Sequence, residues 1–198
     1  MTLILASQSA SRREMLRAAG VSFDVMAPDG DEETAKQRLR AQNLGAGELA
    51  GALAQFKAHD LSVRFPDDLI LGCDQTLECE DGSMVDKAID QYDAAQILRK
   101  LSASSHYLHS AAVILQGGAP VWQHMETVKM TMRPLSDAFI AAYLDEEWAQ
   151  CRWCVGCYRI EGPGAQLFRA IEGSHFAIQG LPLLPLLDFL RERGVLAS

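Results

Sequence analysis

Residues 3–16 read LILASQSASRREML, a short apolar run that passes through a serine-rich loop into a helical pattern. The run at residues 2–6 reads as a buried strand, since a brief apolar stretch bounded by polar residues fits a strand better than a helix. From residue 9 to 19 the pattern turns helical. Ser11 stands three residues before Glu14, the spacing of a capping box. Met15, Leu16 and Ala19 form an apolar stripe, and Gly20 stands where a helix-ending glycine belongs. Strand, loop and helix in that order predict an α/β fold.

The rest of the chain extends this reading. Residues 21–26 alternate like a strand, and Pro28-Asp29-Gly30 breaks it. A second helix is expected over residues 41–61, with Leu49, Leu53, Phe56 and Leu61 partly lining one face. Residues 69–73 form another buried-strand run that delivers Asp74-Gln75-Thr76 at its end, followed by a hairpin through Glu80-Asp81-Gly82. Helices are expected at residues 91–101, 136–145 and 184–193, and strands at 106–115, 121–132 and 154–160. The order lacks a strict βαβ rhythm, so the sheet is expected to be mixed, with flanking helices. At 198 residues the chain fits one domain over 1–198, or one compact body with two lobes around a cleft.

Composition narrows the function. Hydrophobic residues make up 48% of the chain, enough for a packed core. A net charge of −8 argues against a protein that coats nucleic acid, which needs an excess of Lys and Arg. No apolar run approaches the roughly 20 residues of a membrane helix, and the N-terminus lacks the pattern of an export signal. The expectation is a cytoplasmic protein without nucleic-acid or membrane partners, its five cysteines reduced and free.

Several residues carry candidate chemistry. The amides at the start of the first helix, the hydroxyls of Ser7 and Ser9 and the guanidinium groups of Arg12 and Arg13 suit a phosphate chain. The same residues also describe an ordinary capped helix with solvated arginines. Asp74, at the carboxyl end of a buried run, suits a metal ligand or general base, and equally a turn-starting aspartate. Lys57 and Lys87 read singly as surface lysines, and Glu32 as part of a solvated acidic turn. Cys151, Cys154 and Cys157 have two C-x-x-C spacings, but an iron–sulfur run would need a fourth cysteine, so buried thiols are expected. No G-x-x-x-x-G-K-[ST], H-E-x-x-H or G-x-S-x-G occurs.

Together these weak signals resemble the Maf family of nucleotide pyrophosphatases across essentially the whole chain. LASQSASRREML is similar to the family's L-A-S-x-S-P-R-R-x-E-L-L, with Ala10 in place of its proline and Ser11 in place of its first arginine. APDGDE at 27–32 resembles P-x-V-D-E, LAQFKA at 53–58 resembles L-A-x-x-K-A, and LGCDQ at 71–75 resembles G-x-D-[TQ]. Asp86-Lys87 falls where the family has G-K-P, with Ala88 in place of the proline. GCYRIEGPGA at 156–165 is similar to G-x-Y-x-I-Q-G-x-G-A, and GLPL at 180–183 matches G-L-P-L.

The resemblance implies a two-lobed mixed α/β fold with the nucleotide in the cleft, often a homodimer. It also implies hydrolysis of nucleoside triphosphates to monophosphate and pyrophosphate with a divalent metal, Mg²⁺ or Mn²⁺. Asp74 would be the proton acceptor, with Lys57 and Lys87 at the catalytic centre, and Glu32 with Asp74 would hold the metal. Arg12, Arg13 and both lysines would offset the triphosphate charge, Ser7 and Ser9 would donate to phosphate oxygens, and Gln75 and Glu161 would face the base. Gln75 with Glu161 matches the subgroup associated with 7-methylguanosine triphosphate. The implied role is nucleotide-pool housekeeping with a link to septum formation. The alternative is a non-catalytic nucleotide-binding regulator of cell division.

Overall fold

The computed structural model describes residues 1–28 and 30–197, so Asp29 in the expected break lies outside the described residues. Among the described residues seven strands form one sheet in the order β2-β1-β3-β5-β6-β7, with β4 paired to β3. These are β1 Leu3–Ala6, β2 Asp24–Met26, β3 Leu69–Cys79, β4 Met84–Val85, β5 Ser105–Gln116, β6 Ala119–Met132 and β7 Phe168–Glu172. β1 is parallel to β2 and β3, whereas β3–β4 and β6–β7 are antiparallel, so the sheet is mixed as expected. The helices are α1 Ala10–Ala18, α2 Glu32–Arg40, α3 Ala46–Arg64, α4 Gln91–Leu101, α5 Asp137–Cys151, α6 His175–Ile178 and α7 Leu183–Glu192.

The chain divides into two units, the first comprising Met1–Gln75, Ser110–Glu126 and Ser174–Ser198, the second Thr76–His109 and Thr127–Gly173. In the first unit, strand alternation sends successive side chains to two different cores. Leu3, Leu5, Leu69, Leu71 and Cys73 pack with Met15 and Leu16 of α1 and with Leu186 and Leu190 of α7. Ile4, Ala6 and Ile70 pack with Ala50, Ala54, Ala58 and Leu61 of α3. Burial on both faces explains why β1 and the start of β3 read as continuous apolar runs. In the second unit Leu98 and Leu101 of α4, Ile140 and Leu144 of α5, and Val128 and Met130 of β6 are buried.

Several expected elements change. Ser9, not Ser11, caps α1, its hydroxyl accepting the Arg12 N–H at 3.4 Å. The expected helix over 41–61 starts later and runs further, as α3, and a helix that was not expected, α2, precedes it. α2 ends at Arg40, Asn43 takes a positive φ of 55°, and α3 starts at Ala46 with the Gly45 N–H donating to Glu48 at 2.9 Å. β3 does not end before Asp74 but runs through it to Cys79. Residues 154–160 are no strand: Gly156 and Cys157 hold φ of 76° and 58°, which a strand excludes. Only a single 3₁₀ turn, Val155–Cys157, forms there. Cys151 instead closes α5; the five cysteines form no disulfide, and all but the half-buried Cys154 are buried.

Candidate active site

The site grows from two backbone features of the first unit. α1 begins at a loop whose Ser7 hydroxyl accepts the Ser9 N–H at 3.2 Å. Beside β1, β3 carries Gly72, and a Cβ there would lie 2.0 Å from the Ala54 carbonyl oxygen of α3. The missing side chain lets α3 press its backbone onto β3. One turn further along α3 stands Lys57, two residues beyond Gly72 on β3 stands Asp74, and their side chains meet.

Lys57 Nζ lies 3.0 Å from Asp74 Oδ2 and 2.9 Å from Glu32 Oε1. The side chains of Lys57 and Asp74 are only 10% and 14% exposed, whereas Glu32, in the first turn of α2, is 51% exposed. The inner pair is therefore shielded from the screening that weakens surface ion pairs, and the outer contact is not. Asp74 Oδ1 accepts the Gln75 N–H at 2.6 Å, so both oxygens of this carboxylate are oriented. Two carboxylates that converge on one cation are the hard oxygen donors that magnesium or manganese takes, so the residues present fit such an ion in kind. Among the described residues no group of three or more His, Cys, Asp or Glu side chains has metal-binding geometry, the Cys151, Cys154 and Cys157 stretch included.

Arg12 is only 8% exposed, and its Nε and Nη1 donors are committed. Nε donates to the Gly180 carbonyl at 2.8 Å, and Nη1 to the Cys73 carbonyl at 3.0 Å and the Ser7 hydroxyl at 3.4 Å. Gly180, at φ +90°, leaves room for it: a Cβ there would sit 3.0 Å from Nη2. Arg12 thus ties the α1 loop, the residue before Asp74 and the turn before α7 into one frame. The neighbouring Arg13 differs, because its buried Nε has no hydrogen-bond partner among the described residues. An unpaired buried donor costs roughly 1–3 kcal/mol unless something occupies it.

Gln75 is held by its amide nitrogen. Nε2 donates to the Ser110 hydroxyl at 2.8 Å and to the carbonyls of Ala177 and Ile178 at 2.9 and 3.0 Å, while Ser110 donates to Ala177 at 2.6 Å. The sequence reading missed Ser110. Its signal was present: a hydroxyl heading the buried run SAAVIL needs a partner. Lys87, after β4, and Glu161, after the Val155–Cys157 turn, are exposed and belong to the second unit. The structure therefore brings Glu32, Lys57, Asp74 and Gln75 together, and separately Ser7, Ser9 and Arg12.

The family model described as Maf-like protein matches residues 2–193. The chain belongs to the Maf-like protein family. This Maf-like chain is 47% identical over 195 residues to a nucleoside triphosphate pyrophosphatase of Sphingopyxis alaskensis, with 98% of each protein covered. It is 45% identical over 196 residues to one of Granulibacter bethesdensis, with 99% of each covered. Among solved structures it is similar to a nucleoside-triphosphatase / dITP/XTP pyrophosphatase of Mycobacterium abscessus, with a TM-score of 0.41 and 18% identity over 67% of this chain and 73% of that one. No described helix of this Maf-like chain is long and apolar enough to cross a membrane.

Proposed function

We propose that this Maf-like protein is a nucleoside triphosphate pyrophosphatase that attacks the α-phosphorus with water and releases pyrophosphate. The observation that carries the reading is the shielded Lys57–Asp74 pair with Glu32 on its open side. Water attack requires a group that takes a proton, and Asp74 is an oriented carboxylate that serves. The triphosphate brings roughly four negative charges, which positioned cations must offset. Lys57 is such a cation, and Arg13 supplies an unfilled donor. Arg12 acts behind them by holding the Ser7 hydroxyl and the backbone before Asp74. Ser7 and Ser9 are proposed phosphate donors, and Lys87 is assigned to the phosphates on its motif. A divalent cation held by Glu32 and Asp74 would neutralise phosphate charge and acidify water. A sensor that only bound nucleotide could lose the base and keep the cations, whereas this chain keeps Asp74 with both lysines.

For the base we propose a purine, with 7-methylguanosine triphosphate as first candidate. Its ring is cationic and carries donors on one edge, which a carboxylate such as Glu161 and the amide of Gln75 suit. A homodimer acting in cytoplasmic nucleotide housekeeping is the accompanying proposal. Specificity constants for 7-methylguanosine, thymidine and uridine triphosphates in wild type and Glu161→Gln test the base. The methylated purine should lead in wild type, and Glu161→Gln should cut its lead by about 1–3 kcal/mol. A wild-type preference for thymidine or uridine triphosphate overturns the base assignment.

A further inference from the structure

The Gln75 amide has a direction that follows from its neighbours. An amide offers two N–H donors on one arm and an acceptor oxygen on the other, and the two arms look alike in shape. Here the neighbours decide. The carbonyls of Ala177 and Ile178 can only accept, and the Ser110 hydroxyl spends its proton on Ala177 at 2.6 Å, so it too can only accept. Three acceptors surround one arm of Gln75 at 2.8 to 3.0 Å, and turning the amide over would set its oxygen against two carbonyls that cannot donate and cost Ser110 its bond to Ala177. Nitrogen must face them. Ser110 is fully buried, the Ala177 carbonyl also accepts the Gly180 N–H at 3.0 Å, and the Ile178 carbonyl is among those that the short α6 leaves open.

We propose that Ser110 and these two carbonyls lock the Gln75 amide so that only its carbonyl oxygen meets the substrate, and that the accepted base presents an N–H donor to it. The inference rests on the reading that Gln75 faces the base. An amide free to rotate would accept either polarity, whereas a locked one reads a donor and rejects a base edge that lacks it. Ser110 is then a positioning residue for specificity, touching no substrate atom.

Two measurements test this. In the protein without nucleotide, the Gln75 side-chain N–H protons should exchange slowly with solvent by ¹⁵N-resolved NMR, faster in Ser110→Ala and again slowly in Ser110→Thr. In turnover, substrates are compared in pairs that differ by one donor: guanosine with inosine and N1-methylguanosine triphosphate, uridine with N3-methyluridine triphosphate. Removing the donor that Gln75 reads should lower kcat/KM about 10- to 100-fold in wild type. The gap should fall below about 3-fold in Gln75→Leu, narrow in Ser110→Ala and return in Ser110→Thr. An unchanged gap in Gln75→Leu means that Gln75 does not face the base, and the reading beneath the inference fails. A gap that closes in Gln75→Leu but persists in folded Ser110→Ala, with N–H exchange unaltered, overturns the lock alone.

Discussion

Replacing Gly72 by alanine probes how the fold sets the chemistry. The added Cβ would lie 2.0 Å from the Ala54 carbonyl oxygen and 3.0 Å from both the Ala54 carbonyl carbon and the Ala58 Cβ. The obstruction is helix backbone, which cannot swing aside as a side-chain end can. Ordinary contact requires α3 to retreat from β3 by roughly 1 Å or more, against cores packed close to crystal density. Overpacking of this kind costs about 1–3 kcal/mol. In a chain of this size each kcal/mol lowers Tm by about 2–4 °C. The same retreat draws Lys57 from Asp74, now 3.0 Å apart, and misplacement by about 1 Å can cost about 100-fold in rate. Gly51→Ala on the same helix is the control. Nothing lies within 4 Å of its added Cβ, so stability should hold or rise by about 0.4–1 kcal/mol. Calorimetry and pyrophosphate release on the two variants provide the comparison. Gly72→Ala with wild-type Tm and wild-type turnover would refute the argument.

Other outcomes follow from the same geometry. Arg12→Ala should lower stability by about 2–4 kcal/mol, because it strips partners from two carbonyls and a hydroxyl; a denaturation midpoint equal to wild type would contradict its role as a frame. Arg13→Ala should leave the midpoint within about 1 kcal/mol and weaken nucleotide binding about 10-fold, with unchanged binding in a titration counting against the phosphate assignment. Burial lowers the His106 imidazole to about 4, with Nε2 paired to the Tyr158 hydroxyl at 2.7 Å. Between about 4 and the unfolded value near 6.5 the unfolded chain binds the extra proton. The contribution of about 3 kcal/mol is thus full above pH 6.5 and lost as pH falls towards 4. Urea midpoints across that range should drop more steeply in wild type than in His106→Gln, and parallel curves would refute this.

What the sequence revealed, and what it hid, divides on physical lines. α4 and α7 were legible because each buries a face whose period survives in the residues, and β1 and the start of β3 because burial on both faces leaves an unbroken apolar run. α2 was missed since EETAKQRLR buries only Ala35, and what starts it is the Asp31 side chain accepting the N–H groups of Glu33 and Thr34. β7 was missed because all but its first residue are exposed, so no alternation marks it. Gly156 inside an apolar run was the available warning against a strand at 154–160. At the site, Asp74 and Lys57 stood out by position and motif, but their contact needed the close approach at Gly72. The family pattern gave Arg12 and Arg13 the same phosphate role. Nothing local shows that Arg12 Nε reaches a carbonyl 168 residues away.

The central claim is that water cuts the α–β anhydride with Asp74 as the base. Its most direct test is product analysis by ³¹P NMR when wild type and Asp74→Asn are incubated with the preferred triphosphate and Mg²⁺ or Mn²⁺. The account predicts monophosphate and pyrophosphate in equal amounts, formed about 10²–10⁴-fold more slowly by Asp74→Asn while nucleotide still binds. Diphosphate with orthophosphate, or an Asp74→Asn rate equal to wild type, would contradict it.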